Sequence, residues 1–253
     1  MTRYLSADVP SLTHSGAEYS GDEFEGFIWD FDSTDVNFHE CKFLNMHFRE
    51  RALELCEFQN CTFIACSFDS AQIKECKFAE CQFYERESEQ ACSFKFSDLT
   101  ATCFIRCDLS MCNFSRSQLY RSEFLQCQAQ GIDLSHVQAT STVGNTVVLR
   151  GAKMHDCNFA YADFSGADLA ESDLSENRMS HTALNRTDLT NSTLSDCELH
   201  GIEAEGVIIQ GADLRGSDLS RLDVREIDMT GVRINSFQQS ILLETLGIIV
   251  DET

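Results

Sequence analysis

A large apolar residue returns at every fifth position along most of this chain. From Phe38 the series runs through Phe43, Phe48, Leu53, Phe58, Phe63, Phe68, Ile73 and Phe78 to Phe83 without losing phase. It resumes from Phe94 to Leu134, and a third run goes from Leu149 to Ile234. A helix repeats at 3.6 residues and a strand at two, so neither can bury such a series on one face. A solenoid can, if each five-residue unit forms one side of a squarish coil. About four units then close a turn, and successive turns stack at the strand spacing of about 4.8 Å. The expected fold is all-β: a right-handed quadrilateral parallel β-helix over residues 38–234.

Two positions before each large residue stands a small one. Twelve of the 13 cysteines occupy this slot, among them Cys41, Cys56, Cys61, Cys66, Cys76 and Cys81, and only Cys103 falls elsewhere. In the third run the slot holds Ala162, Ala167, Ser172, Thr182, Thr187 and Ser192. Interchange among Cys, Ala, Ser and Thr means that the slot selects small size, and cysteine serves as a small buried hydrophobe. Zinc is the sharper alternative. It needs a tetrahedral ligand cluster, whereas same-wall cysteines twenty residues apart form a ladder and no His joins them. No metal and no cofactor is expected, and in a reducing compartment no disulfide framework either.

Where the period breaks, the chain must leave the wall. Eleven residues separate Phe83 from Phe94, and the intervening YERESEQA, residues 84–91, is charged with no apolar centre, so it projects as a loop. A second break, TSTVGNTVV at 140–148, preserves the phase. Its Thr, Asn and Gly favour a loop, with a degenerate coil enclosing Gly144 as the alternative. Before the first run, residues 24–37 are apolar but out of phase and are assigned to an N-terminal cap, with Trp29 covering the first coil. Residues 1–23 are assigned to a weakly ordered arm. After Ile234 the sequence NSFQQSILLETLGIIVDET predicts a short helix capped by Asn235 or Ser236 and ended by Gly247, then a strand over 248–250. An open solenoid end needs covering. The surplus of apolar residues here, Phe237, Ile241, Leu242, Leu246, Ile248, Ile249 and Val250, suggests a homodimer through residues 235–253.

Against 19 Lys and Arg stand 41 Asp and Glu, a formal charge of −22. That balance argues against gripping nucleic acid by its phosphates and favours a basic partner. Much of the charge precedes the large residues of the third run. Asp168, Asp188, Asp213, Asp218 and Asp228 are the chosen members of an outward acidic face. The competing reading is that such aspartates solubilise the rod and bond to corner amides. The opening segment has no apolar h-region and the most apolar tail segment is interrupted by Glu244, so a soluble, cytoplasmic protein without a membrane span is expected. Catalysis is not expected: the seven histidines are scattered, with no nucleophile or carboxylate pair in a shared motif.

Units such as ADFSG at 162–166 and ADLAE at 167–171 resemble the pentapeptide-repeat family, whose members form right-handed quadrilateral β-helices. Within it, CQFYERES at 81–88, CDLSM at 107–111, CQAQG at 127–131, SENRM at 175–179 and LLETLGIIV at 242–250 are similar to the Qnr quinolone-resistance proteins. The resemblance implies a dimer that mimics DNA, binds DNA gyrase and topoisomerase IV and protects them from fluoroquinolones. It implies that both loops contribute, through Tyr84, Glu85, Arg86, Glu87 and Ser88 in the first and Thr142, Asn145 and Thr146 in the second. This chain departs from the family in an additional N-terminal segment and in a second loop without an aromatic. Immunity to another gyrase poison and a general interaction scaffold are the competing functions, since a fold alone does not dictate one.

Overall fold

The structure is a computed structural model of the 253-residue chain and describes residues 2–5, 15–144, 147–219 and 224–249. Each coil visits four walls in turn. The first wall pairs Glu18–Ser20, Asn37–His39, Glu57–Gln59, Lys77–Ala79, Cys103–Ile105, Glu123–Leu125 and Lys153–His155 in parallel. The second stacks Glu23–Glu25, Lys42–Leu44 and Thr62–Ile64, then continues as single bridges through Gln82, Asp108, Gln128, Asn158 and Arg178 to Glu198. The third carries His47, Ser67, Ser93, Asn113 and Asp133, and the fourth Gln72, Asp98, Gln118, Gln138, Asp168 and Asp188. This is the quadrilateral parallel β-helix that the five-residue period demands, with two projecting loops and a short C-terminal helix.

The five-residue series fills the interior. Phe38, Phe58 and Phe78 stack face to face along the first wall at 4.8 and 4.7 Å between ring centroids. Phe43, Phe63 and Phe83 do the same along the second at 4.6 and 4.7 Å. Neighbouring columns meet edge to face, Phe58 against Phe63 at 5.6 Å, the arrangement that aromatic quadrupoles favour. The small slot turns each corner, and all its cysteines are buried and free. It does more than save space. The Cys81 thiol donates to the Phe58 carbonyl one coil back, as do the Thr182 and Thr187 hydroxyls to Phe159 and Phe164. Desolvation pushes the buried Cys112 thiol up to about 12, so this sulfur stays a protonated donor to the Phe83 carbonyl. Among the described residues no group of three or more His, Cys, Asp or Glu side chains is placed to hold a metal ion.

The N-terminal assignments need correction. Residues 24–37 do not sit across the end of the rod: Glu23–Glu25 and Ser33–Thr34 pair in register with the coil above, and Phe24 stacks on Phe43 at 4.9 Å. They are themselves coil. The phase is hidden because the side from Trp29 to Ser33 spans four residues where the side stacked on it, from Phe48 to Leu53, spans five. Nor is the preceding segment a free arm, since Glu18–Ser20 pairs with Asn37–His39 and Arg3–Tyr4 with Glu23 and Phe24. Residues 6–14 lie outside the described residues.

At the other end Asn235 and Gln238 form a reciprocal capping box that opens a 3-10 turn, Ser236–Gln238, leading into the helix Gln239–Thr245. The Gln238 amide also donates to the carbonyls of Leu214 and Ser217 at 2.7 and 2.8 Å, closing backbone groups that no further coil will pair. The expected strand over 248–250 is absent at Ile248 and Ile249, and Val250 lies outside the described residues.

Candidate partner-binding surface

A filled rod offers its partners only walls, corners, protrusions and ends. The first protrusion is a hairpin: Tyr84–Glu85 runs antiparallel to Gln90–Ala91, and the Cys92 amide closes its base on the Phe83 carbonyl at 3.0 Å. Tyr84 and Glu85 are half-buried at that base, whereas Arg86, Glu87 and Ser88 stand in solvent. Inside the hairpin Ser88 donates to Glu85 at 2.6 Å. The insertion lengthens the coil so that Phe78 pairs with Phe104 across it. Remove residues 85–90 and Phe83, Tyr84, Ala91, Cys92, Ser93, Phe94 reads as one unbroken repeat.

The second protrusion leaves the diagonally opposite corner, between the fourth and first walls. Thr140–Val143 and Val147–Arg150 form a longer antiparallel ladder, with Thr142 opposite Val148, while Asn145 and Thr146 lie outside the described residues. It is a loop and not a degenerate coil. Leu149, counted from the sequence as the first large residue of the third run, is paired with Ser141 on the hairpin and 40% exposed. The wall resumes only where the Gly151 amide bonds the Ala139 carbonyl. The phase survives because Phe124 pairs with Met154 after thirty residues, one coil plus two repeats. Sequence reasoning also missed that this hairpin is apolar: Val143, Val147, Val148 and Leu149 are all exposed. The available signal was Gly144-Asn145 between two β-branched runs, a pair that favours a short hairpin connection. Its base is fixed by Arg150, which holds Asp168 at 2.7 and 3.0 Å, and by the Gln118 amide on the Thr140 carbonyl.

The acidic residues do not make one face. Asp168, Asp188 and Asp228 follow the fourth wall, Asp213 lies on the first between Thr193 and Arg233, and Asp218 on the second, its amide on the Cys197 carbonyl. Most double as turn formers: Asp188 accepts from the Thr190 amide and hydroxyl, Asp228 from those of Thr230. Asp213 is further neutralised by Arg215 and Arg233. Bonds from Gln210 and Thr230 hold the Asp228 carboxyl down at about 2, and Arg215 lowers that of Asp213. Charge is polarised along the chain. Residues 1–73 carry 4 Lys and Arg against 13 Asp and Glu, residues 74–153 carry 9 against 9, and residues 154–253 carry 6 against 19. The waist that bears both hairpins is therefore neutral.

The terminal apolar residues divide. Leu242 packs against the core and Ile241 is half-buried, whereas Phe237 and Ile249 are 88% and 86% exposed and Leu246 and Ile248 about half so. No helix among the described residues is long and apolar enough to cross a membrane.

Comparison with known proteins agrees with this architecture. The family of pentapeptide repeats matches residues 97–135 and, in overlapping stretches, residues 152–191, 172–211, 183–221 and 194–235. Pentapeptide repeat protein QnrB4 of Escherichia coli is 34% identical over 81 residues, covering 32% of this chain and 38% of that protein. The full-length structure of QnrB1, a plasmid-mediated fluoroquinolone resistance protein, is 28% identical with a TM-score of 0.68, covering 88% of this chain and 100% of that one. A trypsin-treated QnrB1 variant gives 0.74 at 28% identity over 93% of this chain and 100% of its own. Five-residue grammar, rod and hairpins together place the chain in the pentapeptide-repeat family, in its Qnr group.

Proposed function

We propose that this protein binds DNA gyrase and topoisomerase IV and protects them from fluoroquinolones, acting as a DNA mimic. The observation that carries the reading is the pair of hairpins that interrupt an otherwise regular rod similar to QnrB1. Each can be excised in thought without disturbing a repeat, so the coil does not require them and a partner is their natural reason. Solvent-facing Arg86, Glu87 and Ser88, with Thr142 across the rod, are the groups we assign to that contact, together with Asn145 and Thr146. Aspartates such as Asp168 and Asp188 recur on one wall at the coil spacing of about 4.8 Å. That is a sparser array than the one charge per about 1.7 Å of duplex DNA, but rigid and of the same sign. In this reading the protein is cytoplasmic, non-catalytic and bound to no nucleic acid. A homodimer forms through exposed Phe237, Leu246, Ile248 and Ile249, with Val250 beyond them.

Supercoiling by gyrase in the presence of ciprofloxacin, with and without purified protein, tests the proposal. The intact chain should restore supercoiling, and a chain lacking residues 85–90 should fold but restore little. Failure of the intact chain at every concentration would remove the drug-protection reading. Protection against a different gyrase poison alone would favour an immunity protein, and no gyrase binding at all a general scaffold.

A further inference from the structure

The corner between the second and third walls carries the first hairpin and, along the same edge, a row of exposed side chains in a conformation that does not suit them. Met111, Tyr161 and His181 occupy equivalent corner positions on three of four successive coils, each with its amide on the coil beyond: Met111 on Gln130, Tyr161 on Ser180, His181 on His200. Gly131 and Gly201 fill the same position in the coils between and after them. All five residues are left-handed, with φ of +58° at Met111, +62° at Tyr161 and +57° at His181. Glycine enters that region freely, and other residues hold it at most corners of this rod, so the angle alone marks no function; what sets this edge apart is the large side chains it presents to solvent.

Tyr161 is 66% exposed and Met111 57%, and His181 and His200 also face solvent. The Tyr161 and His181 rings lie parallel at 5.1 Å, and His200 meets His181 edge-on at 5.5 Å. Met111 lies over Gly131 and His181 over Gly201, where a Cβ would stand 2.6 Å from the sulfur and the ring nitrogen respectively, so the side chains follow one edge from the hairpin to the histidines. At about 4.8 Å per coil it extends the hairpin's reach by about 20 Å. Carboxylates flank it, Asp163 and Glu203 on the third wall and Glu198 on the second, against a single guanidinium, Arg178. An exposed π-face rimmed by carboxylates is complementary to arginine, which stacks on the ring while its N–H groups take the acids.

We propose that this ridge is a second part of the partner contact, in which Tyr161 and the stacked His181 receive an arginine-bearing protein surface while the hairpin engages beside it. The inference rests on the reading of gyrase as partner. Tyr161→Gly and His181→Gly put at the strained corner the residue already used at Gly131 and Gly201. Both variants should therefore melt at or above the temperature of the parent, and binding to immobilised gyrase holoenzyme should weaken about tenfold in each. A substitution that preserves stability while weakening binding separates a contact role from a structural one. Unchanged binding by the variants, with the intact chain binding, overturns the ridge and leaves the hairpin reading standing. No binding by the intact chain overturns the choice of partner, and this inference with it. Tyr161→Phe keeps the ring and should bind as the parent does, and weakening as large as that of the glycine variant would also count against ring stacking.

Discussion

The coils before Phe124 and those after Met154 solve one geometric problem in two ways. Before Phe124 three walls stack phenylalanine on phenylalanine at 4.4 to 5.0 Å, as in Phe94 on Phe114 and Phe104 on Phe124, while the fourth carries Leu53, Ile73, Leu99 and Leu119. After Met154 the same positions hold Leu169, Leu174, Leu184, Leu189 and Leu194, and Phe159 with Phe164 is the remaining buried aromatic pair among the described residues. Corners change later than the interior: from Leu55, Asn60 and Ala65 through Tyr161, His181 and Asp196 the left-handed position is mostly held by residues other than glycine, and only near the C-terminal end do Gly201, Gly206, Gly211 and Gly216 take it in succession. Leucine coils thus still carry strained corners as far as Asp196, and glycine relieves them only over the last coils.

The largest effect that would break this comparison lies in the core. Phe58 is buried and stacked on both sides, by Phe38 at 4.8 Å and Phe78 at 4.7 Å, so Phe58→Ala should cost about 4 to 5 kcal/mol. Leu169→Ala, equally buried, should cost about 3 kcal/mol. Urea denaturation of both variants gives the two values, and equal costs would mean that ring stacking adds nothing to apolar burial.

How much of this the sequence could disclose follows from which residues carry the signal. Interior positions are large and periodic, so the rod from Phe38 onward was legible by counting. Corners were not, because the left-handed residue is as readily Glu80, Arg106 or His136 as Gly, and a backbone angle leaves no mark in such identities. The small slot was read as a size constraint only. Its second role, donating to a carbonyl one coil away, is invisible because Cys, Ser and Thr share it and Ala fills the same volume without it. The first coil was lost to a single missing residue between Trp29 and Ser33, and the second hairpin's length to an insertion of two whole repeats, which no period count can detect. Site residues were the least legible. Tyr84–Glu85 could be found as a phase break, but the three-wall scatter of the chosen aspartates and the exposure of Val143, Val147 and Val148 depend on where coils stack.

Exchanging corner residues between the halves should produce the next largest changes. Leu55 is half exposed at φ +56°, so Leu55→Gly should stabilise the fold by about 1 kcal/mol through relief of left-handed strain. The reciprocal Gly206→Leu, at φ +67° with no atom closer than 3.5 Å to the added Cβ, should lose about 1 to 2 kcal/mol. Both are read from denaturation midpoints. A loss at Leu55→Gly would show that the side chain matters more than the angle.

Excision should matter less still. Deleting residues 141–150 joins Thr140 to Gly151 and leaves Gln138, Ala139, Thr140, Gly151, Ala152, Lys153, Met154 in repeat phase with a left-handed glycine at the corner. The shortened chain should keep its circular dichroism and lose under about 1 kcal/mol, within the usual range for changes away from a core. Deleting only residues 143–146 leaves the remaining hairpin strands without a turn and should be worse than removing all ten.

Acid should distinguish the halves by the smallest margin and in a defined direction. The carboxyls of Asp228 and Asp213 titrate below the ordinary value of 3.8, Asp228 at about 2 through Gln210 and Thr230 and Asp213 through Arg215. A carboxyl whose folded pKa is depressed binds protons more readily when unfolded, so its contribution is complete above about pH 4 and disappears as pH falls towards 2. Both residues belong to the last coils, where leucine cohesion is weaker. Hydrogen exchange at pH 3 should therefore show protection falling first at the backbone bonds of Asp213 and Arg233, while those of Glu57 and Lys77 hold. Asp228→Asn should flatten the pH dependence at the C-terminal end and leave the phenylalanine coils unchanged. Loss of protection that is uniform along the rod would mean that the two halves unfold as one unit, whatever the difference in their interiors.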